Sequence, residues 1–428
     1  MNKVFKVIWN HATQTWTAVS EISHAHGKKS ASDKRKAVAA AVAAAGALMA
    51  SGTAQAGVDT TLSTITIKSD APGNVAGTNQ GESNINIGTG ANTYRLENGK
   101  VSHDSVAIGT NATGTGDKAV AIGKGANATK ENGVAIGFSA TNQSVDSVAI
   151  GREATSSKDM DVAIGKQAQA TGGESLAFGS QSKASGEATI AVGKESNASG
   201  SSAVATGYQS AAAGDNAVAV GNKDSASATN GIATGLRATA TGTRAIATGA
   251  GSKASGEQSL ATGFKAQALG NNSVAHGNDA VANQAADVAV GFEAKADGTS
   301  TGADGDGVVG TNNAGSAMAI GTNAQATGIV ATAIGQRSQA LANGAVALGG
   351  DAQAKKGSAV AIGRGSVADG ISAAAFGPAA QATGKYAVAL GVQSQATSEQ
   401  AIALGRGAKA NGGEYATALG NGAQATAK

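Results

Sequence analysis

The feature that most constrains this chain is a short pattern, branched apolar, Ala, apolar, Gly, that returns every 14 residues; Val148-Ala149-Ile150-Gly151 is one copy. Its glycines run from Gly109 to Gly291 in 13 steps of 14 without a slip, resume from Gly321 to Gly405, and end in an approximate copy at Gly420. A self-similar period this short belongs to a solenoid or array rather than a conventional domain. Fourteen is also two heptads, but glycine excludes a coiled coil. The chain has 63 Gly in 428 residues, and each costs about 1 kcal/mol relative to Ala inside a helix. The apolar residues also alternate with a period of two, which is the strand signature.

Within one repeat, Ala168 and Ala170 form a small alternating pair, Gly172-Gly173 a turn, and Leu176-Ala177-Phe178 the next strand, closed by Gly179. Each repeat therefore reads as a strand-turn-strand-turn coil, stacked on the next by parallel ladders, with the repeated glycines at positive-φ corners. The fold class is all-β, a parallel β-roll of 14-residue coils. Such a coil has room inside for one thin layer of side chains, yet its strand is apolar on both faces, and a parallel strand of that kind is normally covered on both. We expect Val106, Ile108, Val120, Ile122, Val148 and Ile150 to fill the roll, with Gly109, Gly123 and Gly151 closing their strands. Ala149 and its equivalents are then left to meet neighbouring chains of a homo-oligomer. From residue 88 onward there is chain for about 24 coils, a rod on the order of 115 Å long at ~4.8 Å per coil.

The formal charge of +3 is carried by the N-terminal segment. Residues 1–56 hold seven basic side chains and two acids, leaving 25 basic and 27 acidic residues in the remainder. That balance gives no basic bias toward nucleic acid. There is no Cys, so disulfides play no part. Outside the first 56 residues only His103 and His276 remain, too few for a Ser/His/Asp arrangement, and an enzyme is not expected.

Residues 1–56 read as an address rather than part of the fold. Lys28–Lys36 form a basic region, Ala37–Ala50 an apolar run, and Ala54-Gln55-Ala56 a cleavage signal before Gly57. The run is too short for a membrane span, which needs ~20 apolar residues, and fits a signal-peptide core. Residues 57–105 are a lead-in and N-terminal cover: an early strand at Ile65 and Ile67, a turn at Pro72-Gly73-Asn74, a first imperfect coil at Ile85-Asn86-Ile87-Gly88, and an interruption from Asn92 to His103. The regular array occupies 106–428, with an irregular stretch at 292–320. There the step of 30 residues from Gly291 to Gly321 is 14 plus 16, one full coil with two extra residues, with a degenerate core at Val308-Val309-Gly310.

The stretches Met1-Asn2-Lys3-Val4-Phe5-Lys6-Val7-Ile8-Trp9-Asn10 and Thr15-Trp16-Thr17-Ala18-Val19-Ser20-Glu21 closely resemble the extended signal peptide region of Gram-negative type V secreted proteins. The repeats Asp104-Ser105-Val106-Ala107-Ile108-Gly109 and Asp146-Ser147-Val148-Ala149-Ile150-Gly151 resemble the YadA-like head of the trimeric autotransporter adhesins. That resemblance implies a trimeric, left-handed parallel β-roll displayed on the outer membrane and used for attachment to host matrix, cells or other surfaces. A second reading, a structural spacer or self-association module for autoaggregation and biofilm, stays open beside it. In related heads the repeat Asn-Ser-Val-Ala-Ile-Gly is associated with collagen attachment, which places a collagen-like matrix ligand among the expected partners; Asn272-Ser273-Val274-Ala275-His276-Gly277 is a further near copy. Members of this family continue into a coiled-coil stalk and a barrel anchor, whereas these residues end within the repeat pattern. Self-anchoring is therefore not carried over, and no membrane span is expected after signal removal.

Three motifs bear on chemistry. Gly305-Asp306-Gly307-Val308-Val309-Gly310 matches a dinucleotide fingerprint in letters only, since no strand-helix unit surrounds it. Asp297, Asp304 and Asp306 could offer carboxylates to Ca²⁺, but without loop spacing they read as Asp-Gly turns. No cofactor is expected. In mid-array the last strand position turns polar, at Thr206, Thr234, Thr248, Thr262 and His276, with Val220 between. We expect these to stack as an inward column, either a water- or anion-holding channel or, more simply, β-branched stand-ins for Val. An ice-binding Thr face is disfavoured by that inward placement.

Overall fold

Val, Ile and Leu are stiff, β-branched or bulky side chains that suit extended backbone, and a small residue between them lets two strands lie close. The computed structural model, which describes residues 5–10, 15–20, 65–67, 84–94, 96–97, 100–299 and 315–426, shows what this produces. Every regular coil has a long strand such as Val148–Ile150 and a short strand such as Thr155–Ser156, joined by two turns. The long strands pair in parallel at identical positions, Val134 with Val148 and Val148 with Val162. Their sheet begins with Ile65–Ile67 on Ile85–Ile87, passes to Val106–Ile108, and ends at Thr417–Leu419. The short strands form a second, open parallel sheet from Thr113–Gly114 to Gln424–Ala425.

The turns take part in the ladder. Gln167 N donates to Arg152 O at 2.8 Å and Met160 N to Val145 O at 3.1 Å, so both corners are bonded from coil to coil. Within each corner a further bond closes a turn, as from Ala154 N to Gly151 O at 3.3 Å. Glycine at the strand end has φ near +130°, as at Gly109, Gly123 and Gly151. The sharper left-handed position recurs every seventh residue, and most of its occupants carry side chains: Glu153, Met160, Gln167, Val330 and Tyr386 all have φ between 51° and 60°. Each such residue costs roughly 1–2 kcal/mol of backbone strain, which the surrounding ladder must outweigh.

The interior corrects the expected assignment of faces. Ala149 is fully buried inside the roll, together with Ser147, Ala154 and Ser156, and the same four positions line every regular coil with Ala, Ser, Gly or Thr, except at Asn142, Asp161, Asp224 and Asp287. Val148 and Ile150, like Val106, Ile108, Val120 and Ile122, are only half-buried and project from the outer face of the long-strand sheet. The physical reason is thickness. Two sheets joined by tight turns leave a gap that methyl groups fill and that the isopropyl and sec-butyl groups of Val and Ile would force open. A buried methyl contributes only about 0.8 kcal/mol, so the unbroken hydrogen-bond ladder carries much of the stability at ~1 kcal/mol net per bond.

The lead-in follows the same sheet without the 14-residue register. Asn86 occupies the inward position that Ala takes later and is nearly buried, its Nδ2 donating to Thr93 Oγ1 at 3.0 Å. Asn84 Nδ2 donates to Ser102 O at 3.0 Å and its Oδ1 accepts from Ser105 N at 2.9 Å. This buried polar network anchors the interruption, which holds a small antiparallel pair, Leu96–Glu97 with Lys100–Val101.

The stretch at 292–320 does not add a coil to the long-strand ladder. Val288–Val290 pairs directly with Met318–Ile320, and Lys295–Ala296 with Gln325–Ala326. Val308-Val309-Gly310, expected as a degenerate coil core, lies outside the described residues. Asp287, fully buried, joins the two sides of the excursion, accepting from Gly298 N at 3.1 Å and from Ala317 N at 2.9 Å.

At the N-terminus Phe5–Asn10 and Thr15–Ser20 form an antiparallel hairpin in which Trp9 pairs with Trp16. The reading of this region as address alone did not anticipate it, although its aromatic and β-branched content is that of strands. The Ala56-Gly57 junction lies outside the described residues.

Candidate functional site

A roll filled by Ala presents its chemistry outward on two faces and two edges. The outer face of the long-strand sheet is apolar. One of its two columns is apolar through the middle of the array, from Val148 through Ile190, Val218 and Ile246 to Val288. Large side chains on this face stand well exposed in the single chain, Phe178 at 50% and Leu390 at 45%. A contiguous exposed apolar surface of this kind marks a contact site.

The Thr and His series lies on this same outer face and not inside the roll. The ladder places Thr206, Val220, Thr234, Thr248, Thr262 and His276 in direct succession. Thr206, Thr234 and Thr262 are half-buried, and Thr248 and His276 are exposed. The alignment read from the sequence is present, but its direction is reversed for the same reason of thickness.

The short-strand sheet turns a polar column to the other side, including Thr155, Gln169, Lys183, Asn197 and Lys253. At the edges, side chains bond across coils. Gln167 Nε2 donates to Glu153 Oε2 at 2.7 Å, and Gln181 Nε2 to Gln167 Oε1 at 3.3 Å. Arg337 grips Asp351 through two bonds of 2.6 and 3.0 Å. The carboxyl of Glu153 is held below its ordinary range by the hydrogen bond from Gln167 and then that from Arg152. Glu195 is lowered in the same way by Gln209 and Lys194, and Asp351 by Arg337. On the opposite edge Asp159 bonds Ser144 and the Val145 amide, which lower its pKa.

Sequence reasoning missed the buried carboxylates. Asp161 Oδ1 accepts from Gly173 N, Ser175 N and Ser175 Oγ at 2.9, 3.1 and 2.6 Å, and its Oδ2 from Lys158 N at 2.9 Å. Asp224 accepts from Gly235 N at 2.6 Å and Ala238 N at 2.7 Å; burial nonetheless pushes its pKa up, against the pull of those amides. These groups satisfy backbone donors of the next coil, as buried polar groups must, so their role is structural. The only sequence signal was an Asp where neighbouring repeats place Ala or Ser. Of the residues weighed for Ca²⁺, Asp297 is half-buried and 3.9 Å from Lys295, while Asp304, Asp306 and the glycine-rich motif lie outside the described residues. Among the described residues no group of three or more His, Asp or Glu side chains is placed to hold a metal ion.

Comparison with known families agrees with this geometry. Residues 1–50 match the Extended Signal Peptide of Type V secretion system. The YadA head domain repeat matches segment after segment, from 115–140 through 254–280 and from 313–338 to 412–428, together more than half of the chain. The chain belongs to the YadA head family. It is a YadA-like head of a trimeric autotransporter adhesin, a non-enzymatic protein of the Gram-negative cell surface. Membership implies a homotrimer. Among the described residues no helix of the YadA-like head is long and apolar enough to cross a membrane, which says nothing of strands. No match was found among curated proteins.

Proposed function

We propose that this head attaches the cell to extracellular matrix, host cells or another surface by many weak contacts repeated along three identical rolls. The observation that carries this reading is the division of the outer surface. The long-strand face offers half-exposed Val and Ile for burial between protomers, and the short-strand face repeats single polar side chains such as Gln169 and Lys183 at a spacing of ~4.8 Å. Contacts weak in themselves sum to firm attachment through effective concentration once one of them forms. In this arrangement Val106, Ile108, Val148 and Ile150 hold the trimer together, Ser105, Ser147 and Ser273 fill the roll, and the near copies of the collagen-associated motif are structural rather than ligand-facing. Processing at Ala56-Gly57 releases the head from its leader, and residues 57–105 cover the first coil of the 106–428 array.

The test compares two variants for circular dichroism, trimer content and binding to a panel of matrix proteins that includes collagen. Val148→Asn with Ile150→Asn should weaken the trimer and, through it, adhesion. Replacing Lys166, Gln167 and Gln169 should leave fold and trimer intact while lowering attachment. Loss of binding in the first variant with spectrum and trimer unchanged would make the motif itself the ligand site. A head that clumps cells in a self-aggregation assay but adheres to no surface would favour the spacer reading.

A further inference from the structure

The edge that follows the long strand carries a row of side chains with its own period. In the position after each strand-ending glycine stand Tyr208, Asn222, Leu236, Ala250, Phe264, Asn278 and Phe292, so a large apolar side chain recurs at every second coil. Tyr208, Leu236 and Phe264 are 39, 48 and 49% exposed in the single chain. The next position, held left-handed, contributes Lys223, Arg237 and Lys265, all exposed. Lys223 Nζ and Lys194 Nζ lie over the Tyr208 ring, 5.9 and 5.6 Å from its centroid, and Lys265 Nζ lies over that of Phe264 at 5.0 Å.

The row is a rigid ruler. Lys223 N donates to Tyr208 O at 2.8 Å, Arg237 N to Asn222 O at 2.8 Å, Gly251 N to Leu236 O at 2.9 Å and Lys265 N to Ala250 O at 2.8 Å, so the backbone itself sets the interval. Two coils amount to about 9.6 Å, the length of a disaccharide in an extended glycan. Charge points the same way. From Tyr208 to Lys265 this edge itself carries the exposed Lys223, Arg237 and Lys265 and no acid; Asp224 is buried inside the roll, and the exposed Asp215 and Glu257 belong to the opposite edge.

From this geometry we propose that the edge from Tyr208 to Phe264 binds an extended anionic polysaccharide. Alternate sugars rest on the apolar side chains, and carboxylate or sulfate groups pair with Lys223, Arg237 and Lys265. The inference rests on the adhesive reading and deepens it by naming a ligand class and a place. A peptide in β-conformation repeats its side chains at about 6.7 Å; a polyproline II chain repeats at about 9.3 Å but brings no anionic group of its own on each turn to meet Lys223, Arg237 and Lys265. A single-stranded nucleic acid stacks successive bases on aromatic platforms, which an apolar side chain at every second coil, one of them Leu236, does not supply.

The test uses the purified full chain as recovered from the cell surface, with chondroitin sulfate and hyaluronan as anionic probes, an uncharged cello-oligosaccharide, and single-stranded DNA. We expect both anionic polymers to bind, with affinity falling as salt rises because the ion pairs are solvent-exposed. Tyr208→Ser with Phe264→Ser should weaken binding by about tenfold or more, and Lys223→Gln with Arg237→Gln and Lys265→Gln should abolish it and its salt dependence. Arg406→Gln, in the same row but far along the roll, should change nothing. Circular dichroism and trimer content should match wild type throughout, since every substituted side chain is exposed. No binding of either anionic polymer, equal binding of the uncharged one, preference for DNA, or loss of trimer in the Ser variant would each overturn the proposal. If wild type binds matrix proteins but neither polymer, the polysaccharide site is refuted and the adhesive reading stands.

Discussion

Replacing Gly335 by Ala should damage the roll far more than replacing Gly365, two coils away, although both glycines have positive φ. Gly335 has φ +131°, and a Cβ placed there would lie 2.6 Å from both the carbonyl carbon and oxygen of Gly349 and 3.0 Å from Gly350 N. Those atoms are backbone of the next coil and cannot rotate away. They must move, and the bond from Gly349 N to Ile334 O, 2.8 Å long, moves with them. Backbone strain at such a φ costs roughly 1–3 kcal/mol, and a buried donor separated from its acceptor a further ~1–3 kcal/mol. The expected loss is therefore about 2–6 kcal/mol by adding these two terms. Gly365 has φ +65° with nothing within 4 Å of an added Cβ, and Ala379, one coil on at the equivalent turn position, already adopts φ 55°. Its replacement should cost only the turn's own strain, about 1–2 kcal/mol. Urea unfolding followed by circular dichroism measures both, with hydrogen exchange at the Gly349 amide as a local readout, since solenoids open coil by coil. Equal costs for the two variants would refute the claim that contact between stacked glycines, rather than turn conformation, fixes the repeated Gly.

The remaining expectations concern buried acids and processing. Asp287→Ala removes the acceptor for the amides of Gln284, Gly298 and Ala317, and should cost about 3 kcal/mol or more at ~1–3 kcal/mol per stranded donor; unchanged hydrogen exchange at these amides would contradict it. The pKa of Asp224 is raised on folding, so its contribution is present at low pH and is lost as pH rises through the folded value. Those of Glu153, Asp159, Glu195 and Asp351 are lowered, so theirs is present above the ordinary carboxylate range and lost as pH falls through their folded values. Asp224→Asn should therefore lose more stability than wild type between neutral and acid pH; a smaller loss in urea midpoint would reverse the assignment. Both tryptophans, Trp9 and Trp16, precede Ala56-Gly57, so protein recovered from the cell surface should show no tryptophan emission if the leader is cut there.

The register of this fold was legible because a glycine that must stack on a glycine leaves a mark every 14 residues. The pairing of Val134, Val148 and Val162, the parallel sheets and the small Ala pair on the short strand all follow from that mark. Which face turns inward was not legible in the same way. Hydrophobicity ranks Val and Ile as interior residues, but the gap between two sheets joined by tight turns admits only the Ala149 methyl, so volume prevails over hydrophobicity. The Thr206 to His276 column was aligned correctly and turned the wrong way by the same error. Left-handed corners at Met160, Val330 and Tyr386 carry no residue signal at all, because the cross-coil ladder, not local preference, imposes them. The buried carboxylates of Asp161, Asp224 and Asp287 looked like surface turn residues, since nothing local announces that their amide donors come from the next coil.

Above all, the Val148 and Ile150 face, outside the roll, is expected to be covered by other copies of the chain. Sedimentation equilibrium of the cell-surface protein at micromolar concentration, with circular dichroism on the same samples, tests it directly. The account predicts a trimer for wild type, and for Val148→Asn with Ile150→Asn a weakened trimer whose protomers keep the β-roll spectrum. A monodisperse wild-type monomer with that spectrum would contradict it.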